Sequence, residues 1–336
     1  MIRVLIPDMP TADELLPYLR RIDESKVYVN HGPLVQELEA RLAHICGVPV
    51  VAVSSGTAAL ELVFKYFEPI YGNADIPALT FSATGLAARN AGMSVSLRDI
   101  GVDLQMHPDD RSGIRSVMVP VATFGRPVNV DEWRDFETPV VIDAAGALHA
   151  QKCIGDANIV FCFSLHATKF TGCGEGGFVA SGNAQLLDHI RSMSEFGLGG
   201  TNAKMSEYHA AVGIASLGLV DEKAIKTHQL NSWYEDLGDG IQFYDNGRFY
   251  NTIKVAILPQ GVSAHFVGDY MLSKRIETRK WYRPWLDERR DFFCRLPFPI
   301  TEVCRDRLIG LPFHTQLVRQ DVAWIMKSLK EAINEK

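Results

Sequence analysis

The chain has 336 residues, 47% of them hydrophobic and 22% charged, with a formal net charge of −6. This length is too great for one small core and predicts a large domain accompanied by a smaller one. The acidic balance, without any cluster of lysine and arginine, argues against nucleic acid as a partner. No apolar run is long enough for a signal peptide or a membrane span, so no membrane association is expected.

The six cysteines are scattered along the chain, and no two have the C-x-x-C spacing. This pattern supports neither a disulfide framework nor a metal site, so no metal is expected. A reducing cytoplasm is the natural compartment for such a chain.

The first elements are marked by their end signals. Residues 11–14 (TADE) resemble a capping box that opens a short helix. A helix is predicted over 33–46, because apolar residues recur at helical spacing between a proline near its start and Gly47 just past its end. A short β-branched run, Val50–Val53, predicts a strand, and 57–67 has the pattern of a further helix.

Short apolar strands then alternate with helical segments, at 95–97, 117–121, 140–142 and 159–163. Strands that are apolar on both faces predict a mainly parallel α/β sheet covered by helices. The pattern changes near residue 220, after which charged helical stretches alternate with strand-like pieces such as 252–258. We therefore expect a large domain over 1–220 and a smaller α+β domain over 221–336, with the first 25 or so residues able to pack on the smaller one.

A single lysine, Lys169, ends the segment FSLHATK (163–169), directly after a predicted strand and before the glycine-rich turn GEGG (174–177). A lysine held at a strand end, close to backbone and away from other charges, has the surroundings that a Schiff-base lysine requires. A solvated loop lysine is the alternative for this segment alone.

Two more segments have chemistry that complements a lysine of this kind. Ser55, Gly56 and Thr57 join a strand to a helix, where small residues and free N–H groups favour a phosphate. An ordinary helix cap is the alternative. Asp143 ends a buried strand and needs a partner, which a protonated pyridine nitrogen would provide. A capping aspartate is the alternative here.

The phosphate turn, the acid and the lysine follow one another at the carboxyl ends of predicted parallel strands, where ligands of such sheets bind. Together they predict pyridoxal 5′-phosphate as the cofactor. The chain here also resembles the DegT/StrS family of pyridoxal-phosphate-dependent nucleotide-sugar aminotransferases. The resembling segments are YVNHGPLV (28–35), SGTAAL (55–60), PALTFSAT (77–84), DAA (143–145), the lysine segment with its glycine turn, NAKMSE (202–207) and LPFH (311–314).

The resemblance implies an aspartate-aminotransferase-like (fold type I) domain and a role for each matching residue. Gly56 and Thr57, next to Ser55, would hold the cofactor phosphate with the hydroxyl of Ser164. Asp143 would pair with the ring nitrogen, and Lys169 would form the internal aldimine.

Two further roles come from the same resemblance. Phe81 would stack on the pyridine ring, although a plain core aromatic is the alternative. Asn202 would reach the cofactor phosphate of the neighbouring subunit, which implies a homodimer with shared active sites. The alternative for Asn202 is a cap on the helix that follows it.

The chain also departs from the family pattern. Gly146 lies where the family often has glutamine or histidine, the segment NAKM (202–205) replaces a usual Asn-Tyr-Arg-Met, and Asn251 lies where a family histidine is expected. Substrate identity therefore does not transfer from the family.

The function implied is transfer of an amino group from an amino acid, with glutamate expected, to a nucleotide-linked keto sugar. A 4-keto-6-deoxyhexose is the expected acceptor, the pyridoxamine form carries the amino group, and the product would feed O-antigen or other polysaccharide synthesis. One alternative is a keto-sugar dehydratase of the same family, which carries histidine in place of Lys169. The other is a non-catalytic sugar-nucleotide sensor.

Overall fold

A seven-stranded sheet forms the centre of the first part of the chain. The computed structural model describes residues 1–108, 115–196, 201–283, 285–288, 292 and 297–335. The strands of this sheet are β1 (Val50–Val53), β2 (Asn73–Pro77), β3 (Ser94–Arg98), β4 (Val117–Met118), β5 (Val140–Asp143), β6 (Ile159–Ser164) and β7 (Gly177–Ser181). Their spatial order is β1-β7-β6-β5-β4-β2-β3. Only β7 runs against its neighbours among these described strands, so the prediction of a mainly parallel sheet is confirmed.

Helices cover both faces of this sheet, which explains why its strands are apolar throughout. Val50 and Ala52 of β1 pack in one hydrophobic cluster, whereas Val51 and Val53 pack in the cluster on the opposite face. The helices of this part are α1 (Ala12–Ser25), α2 (Pro33–Cys46), α3 (Gly56–Tyr71), α4 (Ser82–Asn90), α5 (Ala184–Ser194), α6 (Glu207–Leu217) and α7 (Val220–Leu237).

The element boundaries agree with the end signals in several places. The capping box at Thr11 and Glu14 is present, and α2 has the predicted bounds, ending where Gly47 adopts a left-handed φ of 71°. The strand predicted over 117–121 is shorter, because the proline at position 120 has no N–H to donate to a neighbouring strand. Strands β2 and β7 are additional to the sequence prediction.

A second sheet is formed by the C-terminal part of the chain. It contains β8 (Gln242–Phe243), β9 (Lys254–Ile257) and β10 (Leu308–Leu311) in the antiparallel order β10-β9-β8. Helices α8 (Ala264–Ser273), α9 (Pro299–Arg305) and α10 (Arg319–Asn334) accompany it, and a separate hydrophobic cluster lies between this sheet, α7, α8 and α10.

The chain's N-terminal residues join this second unit. Ile2 forms a parallel bridge with Ile276, and the carbonyl of Val4 accepts a hydrogen bond from Phe313. In contrast, α1 packs against α6, with its buried Ile22 in a hydrophobic cluster of the first sheet. None of the helices in the described part of the chain is long and apolar enough to cross a membrane.

Candidate active site

A cavity of about 470 Å³ opens where β1, β5 and β6 end and is closed on its other side by residues 279–282. The predicted site residues other than Asn202 all line this cavity: Ser55, Gly56, Thr57, Phe81, Asp143, Ser164 and Lys169. The carboxyl ends of neighbouring strands meet at one sheet edge, and this places residues that are far apart in sequence around the same space.

The N-terminus of α3 forms the predicted phosphate turn. Ser55 caps the helix by accepting a hydrogen bond from the N–H of Ala58 at 3.0 Å. The N–H groups of Gly56 and Thr57 have no acceptor among the described residues, so both are free to donate to an anion. The helix dipole favours negative charge at the same place.

Glycines allow the backbone to approach closely at this turn. A Cβ atom at Gly56 would lie only 2.8 Å from the Cβ of Ser164, which places the Ser164 hydroxyl beside the turn. A Cβ at Gly177, the first residue of β7, would lie 2.4 Å from the carbonyl carbon of Ser55. The turn is therefore compact, and its donors converge on one small volume.

Asp143 ends β5 as a buried carboxylate, 6% exposed. The hydroxyl of Thr84 lies 2.7 Å from its Oδ2, and the N–H of Ala145 donates to its Oδ1 at 3.1 Å. Burial raises the pKa of Asp143 above its ordinary value, while these two donors and the charge of Lys169 act in the opposite direction. A protonated ring nitrogen would supply the cation that this buried carboxylate needs.

Lys169 lies in the loop that follows β6, where its backbone N–H donates to the carbonyl of His166 at 2.8 Å. Desolvation lowers the pKa of Lys169, and the charge of Asp143 offsets part of that effect. A lysine whose pKa is lowered is more often neutral, and a neutral amine can act as a nucleophile or accept a proton. Lys169 is half-buried and lines the cavity, which favours the Schiff-base role over that of a solvated surface lysine.

A buried lysine, Lys223 of α7, forms a hydrogen bond with the loop that carries Lys169. The Lys223 ammonium group donates to the carbonyl of Asp8 at 2.6 Å and to that of Phe170 at 3.5 Å. It is 4% exposed. The N-terminal segment, α7 and the Lys169 loop are thereby connected through one cation.

Phe81 precedes α4 and presents its ring to the cavity. The side chain is 59% exposed, so the alternative of a plain core aromatic is wrong. The ring of Tyr282 lies edge-on to it, with the centroids 6.3 Å apart. A flat group that enters the cavity could therefore contact an open aromatic face.

The remaining residues noted in the sequence analysis either lie outside the cavity or, in the case of Gly146, leave room within it. Asn202 is exposed, accepts a hydrogen bond from Lys204 at 2.7 Å and does not line the cavity. It does not cap α6, since Ser206 has that role. Gly146 lines the cavity, and a Cβ there would come no closer than 3.6 Å to another atom. Asn251 is buried outside the cavity.

Two groups of residues at or beside the cavity were not predicted from the sequence. Thr84 and Thr80, whose hydroxyls are 2.9 Å apart, form a buried pair beside Asp143. Arg279, Trp281 and Tyr282 form the opposite wall. The threonines lie in the resembling segment 77–84, which could have indicated them, whereas no motif marked the wall.

These residues fit pyridoxal phosphate. The compact turn offers unpaired N–H donors for a phosphate, Asp143 is a buried carboxylate in need of a cation, and Lys169 is a desolvated amine in the same cavity. The described ranges contain no group of three or more His, Cys, Asp or Glu side chains that could hold a metal ion.

The chain is similar in sequence to known proteins. The model of the DegT/DnrJ/EryC1/StrS aminotransferase family matches residues 11–330. A relative named dTDP-4-amino-4,6-dideoxy-D-glucose transaminase, from Shigella dysenteriae, is 23% identical over 97% of this chain and 97% of its own. A UDP-4-amino-4,6-dideoxy-N-acetyl-beta-L-altrosamine transaminase from Campylobacter jejuni is 27% identical over 67% of this chain and 65% of its own.

Solved structures are also similar to this chain. A crystal structure of DesI in the presence of its TDP-sugar product has a TM-score of 0.90 and 29% identity, and the match covers 98% of this chain and 93% of that one. Such neighbours confirm the expected aminotransferase fold, and the cofactor is pyridoxal phosphate. The chain is thus a pyridoxal-phosphate-dependent enzyme, and it belongs to the DegT/DnrJ/EryC1/StrS aminotransferase family.

Proposed function

We propose that this enzyme transfers an amino group from an amino acid, with glutamate as the expected donor, to a nucleotide-linked keto sugar. The observation that carries the proposal is that Lys169 and Asp143 share one cavity of about 470 Å³. Cavities of this size accommodate extended small molecules. The names of the dTDP- and UDP-sugar transaminases among the relatives support a nucleotide sugar, and we expect a 4-keto-6-deoxyhexose.

Each residue of the cavity has a defined task in this reaction. Bound pyridoxal phosphate supplies an electron sink for the pair of electrons left when the donor loses its α-proton. The Nζ atom of Lys169 would accept that proton and return it at the next position, since its lowered pKa makes the neutral amine more accessible. Asp143 would keep the ring nitrogen protonated, and the turn at Gly56 and Thr57 would hold the phosphate.

The amino donor and the sugar would use the same cavity in turn. In the first half-reaction the amino acid would give up its nitrogen and leave as a 2-keto acid. In the second the keto sugar would take up that nitrogen while its carbonyl oxygen leaves as water. The aminated sugar would then enter O-antigen or other polysaccharide synthesis. The cytoplasm, inferred from the scattered cysteines, stays a prediction.

Two other functions would use the same fold. A keto-sugar dehydratase would have histidine in place of Lys169, and a sensor without catalysis would not require Lys169, Asp143 and the phosphate turn together. The presence of all three in one cavity favours transamination over both.

The proposal is tested by the product. Purified enzyme would be incubated with glutamate and a panel of dTDP- and UDP-linked 3-keto and 4-keto sugars, and the product masses measured. Replacement of a carbonyl oxygen by an amino group in at least one sugar is expected. Loss of water without gain of nitrogen would instead indicate the dehydratase, and an unchanged panel with no bleaching of the cofactor absorbance by glutamate would indicate the sensor.

We also propose a homodimer in which Asn202 binds the cofactor phosphate of the partner subunit. The exposure of Asn202 and its position outside the cavity of its own chain support this arrangement. Mixing inactive Lys169→Ala chains with inactive Asn202→Asp chains tests it, because the new carboxylate should repel the phosphate. A mixed dimer would have one site with both changes and one intact site, so part of the activity should return.

The same mixture distinguishes an unshared site. If Asn202 served only its own subunit, every site of the mixed dimer would keep one change and no activity would return. The formation of heterodimers is checked with differently tagged chains. Heterodimers without recovery would therefore refute the shared site.

A further inference from the structure

The wall of the cavity that faces Asp143 carries an arginine with no role so far. The backbone of Arg279 is held against β10, since its N–H donates to the carbonyl of Gly310 at 2.9 Å and its carbonyl accepts from the Gly310 N–H at 2.7 Å. Its side chain is exposed and lines the cavity. The second sheet therefore fixes where this guanidinium enters the active site.

The other charged groups of the cavity are paired or assigned to the cofactor. The His166 ring lies 3.6 Å from the carboxylate of Glu175, and Asp143 and Lys169 are the residues proposed to bind pyridoxal phosphate. Arg279 forms no ion pair with any residue in the described part of the chain; its guanidinium carbon lies 5.3 Å from the centre of the Trp281 ring instead. A cation supported by an aromatic face and open to the cavity remains available for a ligand.

Its neighbours in sequence are engaged elsewhere. Arg283 lies outside the cavity and forms an ion pair with Asp306 at 2.7 Å, and Lys280 contacts His265. Of the basic side chains in this segment, Arg279 is the one directed into the active site. Arg283 therefore offers a matched control, an exposed arginine four residues away.

We propose that Arg279 binds the anionic group of a substrate, a carboxylate or a diphosphate, and so determines which molecules the cavity accepts. The planar guanidinium matches both groups by two parallel hydrogen bonds. The inference rests on the proposed function, in which the amino donor carries a carboxylate and the sugar acceptor a diphosphate. Arg279 binds substrate in this account and does not take part in proton transfer.

The test measures the apparent dissociation constant for L-glutamate, from the concentration dependence of cofactor bleaching in the holoenzyme, and that for dTDP, by isothermal titration. Arg279→Gln is expected to weaken at least one of these ligands by about 10- to 100-fold, the loss typical of a charge-assisted hydrogen-bonded pair. Arg279→Lys keeps the charge without the planar fork and should lose less. Arg283→Gln should bind both ligands as the unaltered enzyme does.

The pattern of losses identifies the source of the anion. Weaker glutamate binding alone assigns Arg279 to the donor carboxylate, weaker dTDP binding alone assigns it to the diphosphate, and loss of both means that the two substrates share it. If unaltered enzyme binds neither ligand, or if Arg279→Gln changes neither affinity by more than twofold, the inference is overturned. An equal loss in Arg283→Gln overturns it as well.

The proposed function fails on a different measurement, the mass of the product. If the enzyme aminates a sugar equally well with and without Arg279, at unchanged affinities, the proposed function stands and the role proposed for Arg279 is refuted. If Arg279→Gln does not fold, Arg279→Lys replaces it in the test. A weaker affinity for either ligand in this variant, which keeps the charge, would then show the loss of the two parallel hydrogen bonds of the guanidinium.

Discussion

The two sides of the cavity differ in how they are built. On the side of the large sheet, Gly56 begins α3, Asp143 ends β5, and Lys169 lies in the loop that follows β6. On the opposite side, Arg279 and Tyr282 lie on an irregular connection, positioned by a backbone bridge to β10 and by ring contacts. In the proposed function the first side would bind the cofactor and the second would face the substrates.

This difference shows which functional residues can be predicted from a short segment of sequence and which cannot. A strand end followed by a small residue and a charged group gives the same geometry in any parallel sheet, so its chemistry can be inferred from a short segment. The opposite wall depends on packing between distant segments. The Tyr282 hydroxyl, for example, accepts a hydrogen bond from the N–H of Phe124 at 3.1 Å, and the two rings stack 5.0 Å apart.

The largest effect is expected on the cofactor side, from Lys169→Ala. Turnover should fall by at least about 10⁴-fold, because both the covalent attachment and the proton transfer are lost. Borohydride treatment followed by mass spectrometry should find no cofactor bound to the variant. Lys226→Ala, at an exposed lysine paired with Glu222, should trap cofactor normally. Cofactor trapped at normal yield in Lys169→Ala would remove this residue from its role.

Asp143→Asn should have the next largest effect. It retains the shape of the side chain and removes the charge that keeps the ring nitrogen protonated, so the half-reaction with glutamate should slow by about 10²- to 10³-fold. The measurement is bleaching of the cofactor absorbance in a stopped-flow instrument. The control is Asp131→Asn at an exposed aspartate paired with Arg134. A half-reaction at the unaltered rate would contradict the assignment.

Much of the fold was predictable because its signals are local. The bounds of α2 follow from helical spacing between a proline and Gly47, and β1 from a short β-branched run. In contrast, β7 begins inside the glycine-rich segment 174–177, which has the composition of a turn. Gly177 belongs to a strand because it pairs with Val53 and Ser164, and it is glycine because the backbone of Ser55 lies too close to admit a side chain. The sequence displays neither contact.

The site was predictable to the same extent. Residues at strand ends were found, whereas Thr84 was not, because its importance arises from a contact with an aspartate 59 positions away. Arg279 likewise has no local signal, since an arginine in a polar segment is usually solvated. Long-range contacts therefore determine the part of the site that sequence patterns left out.

Thr84→Val tests whether the hydrogen bond from Thr84 to Asp143 affects the pKa of Asp143 and the rate of the half-reaction. Loss of a hydrogen bond to a charged group costs roughly 1.5–3 kcal/mol, so the glutamate half-reaction should slow by about tenfold or more. Because burial already raises the pKa of Asp143, removing a donor should raise it further, and the acid limb of the pH–rate profile should move to higher pH.

A matched control is available in Thr301, which is buried and lies 2.7 Å from the carboxylate of Asp99, outside the cavity. Thr301→Val should lower the melting temperature and leave the pH–rate profile unchanged. A profile for Thr84→Val that coincides with that of Thr301→Val would show that the contact with Asp143 is structural only.

The smallest effect is expected behind the substrate wall, at Lys254 of β9. Its ammonium group donates to Asn231 at 2.9 Å, and Asn231 in turn donates to Asn251, next to the wall residues Thr252 and Ile253. Lys254 is 5% exposed, and burial lowers its pKa to about 8. The polar network that supports the wall therefore contains a cation whose charge is costly in the folded state.

The sign of the pH dependence follows from that lowered pKa. Below about pH 8 both the folded and the unfolded chain carry the proton; between pH 8 and the unfolded value near 10.4, the unfolded chain holds more of it. The free energy of unfolding should therefore rise with pH by roughly 2 kcal/mol between pH 7 and 10, relative to Lys254→Met. Urea unfolding at several pH values measures this, with Lys152→Met at an exposed lysine as the control. Parallel stability curves for Lys254→Met and the unaltered enzyme would mean that the buried ammonium group does not titrate in this range, and that the wall rests on packing alone.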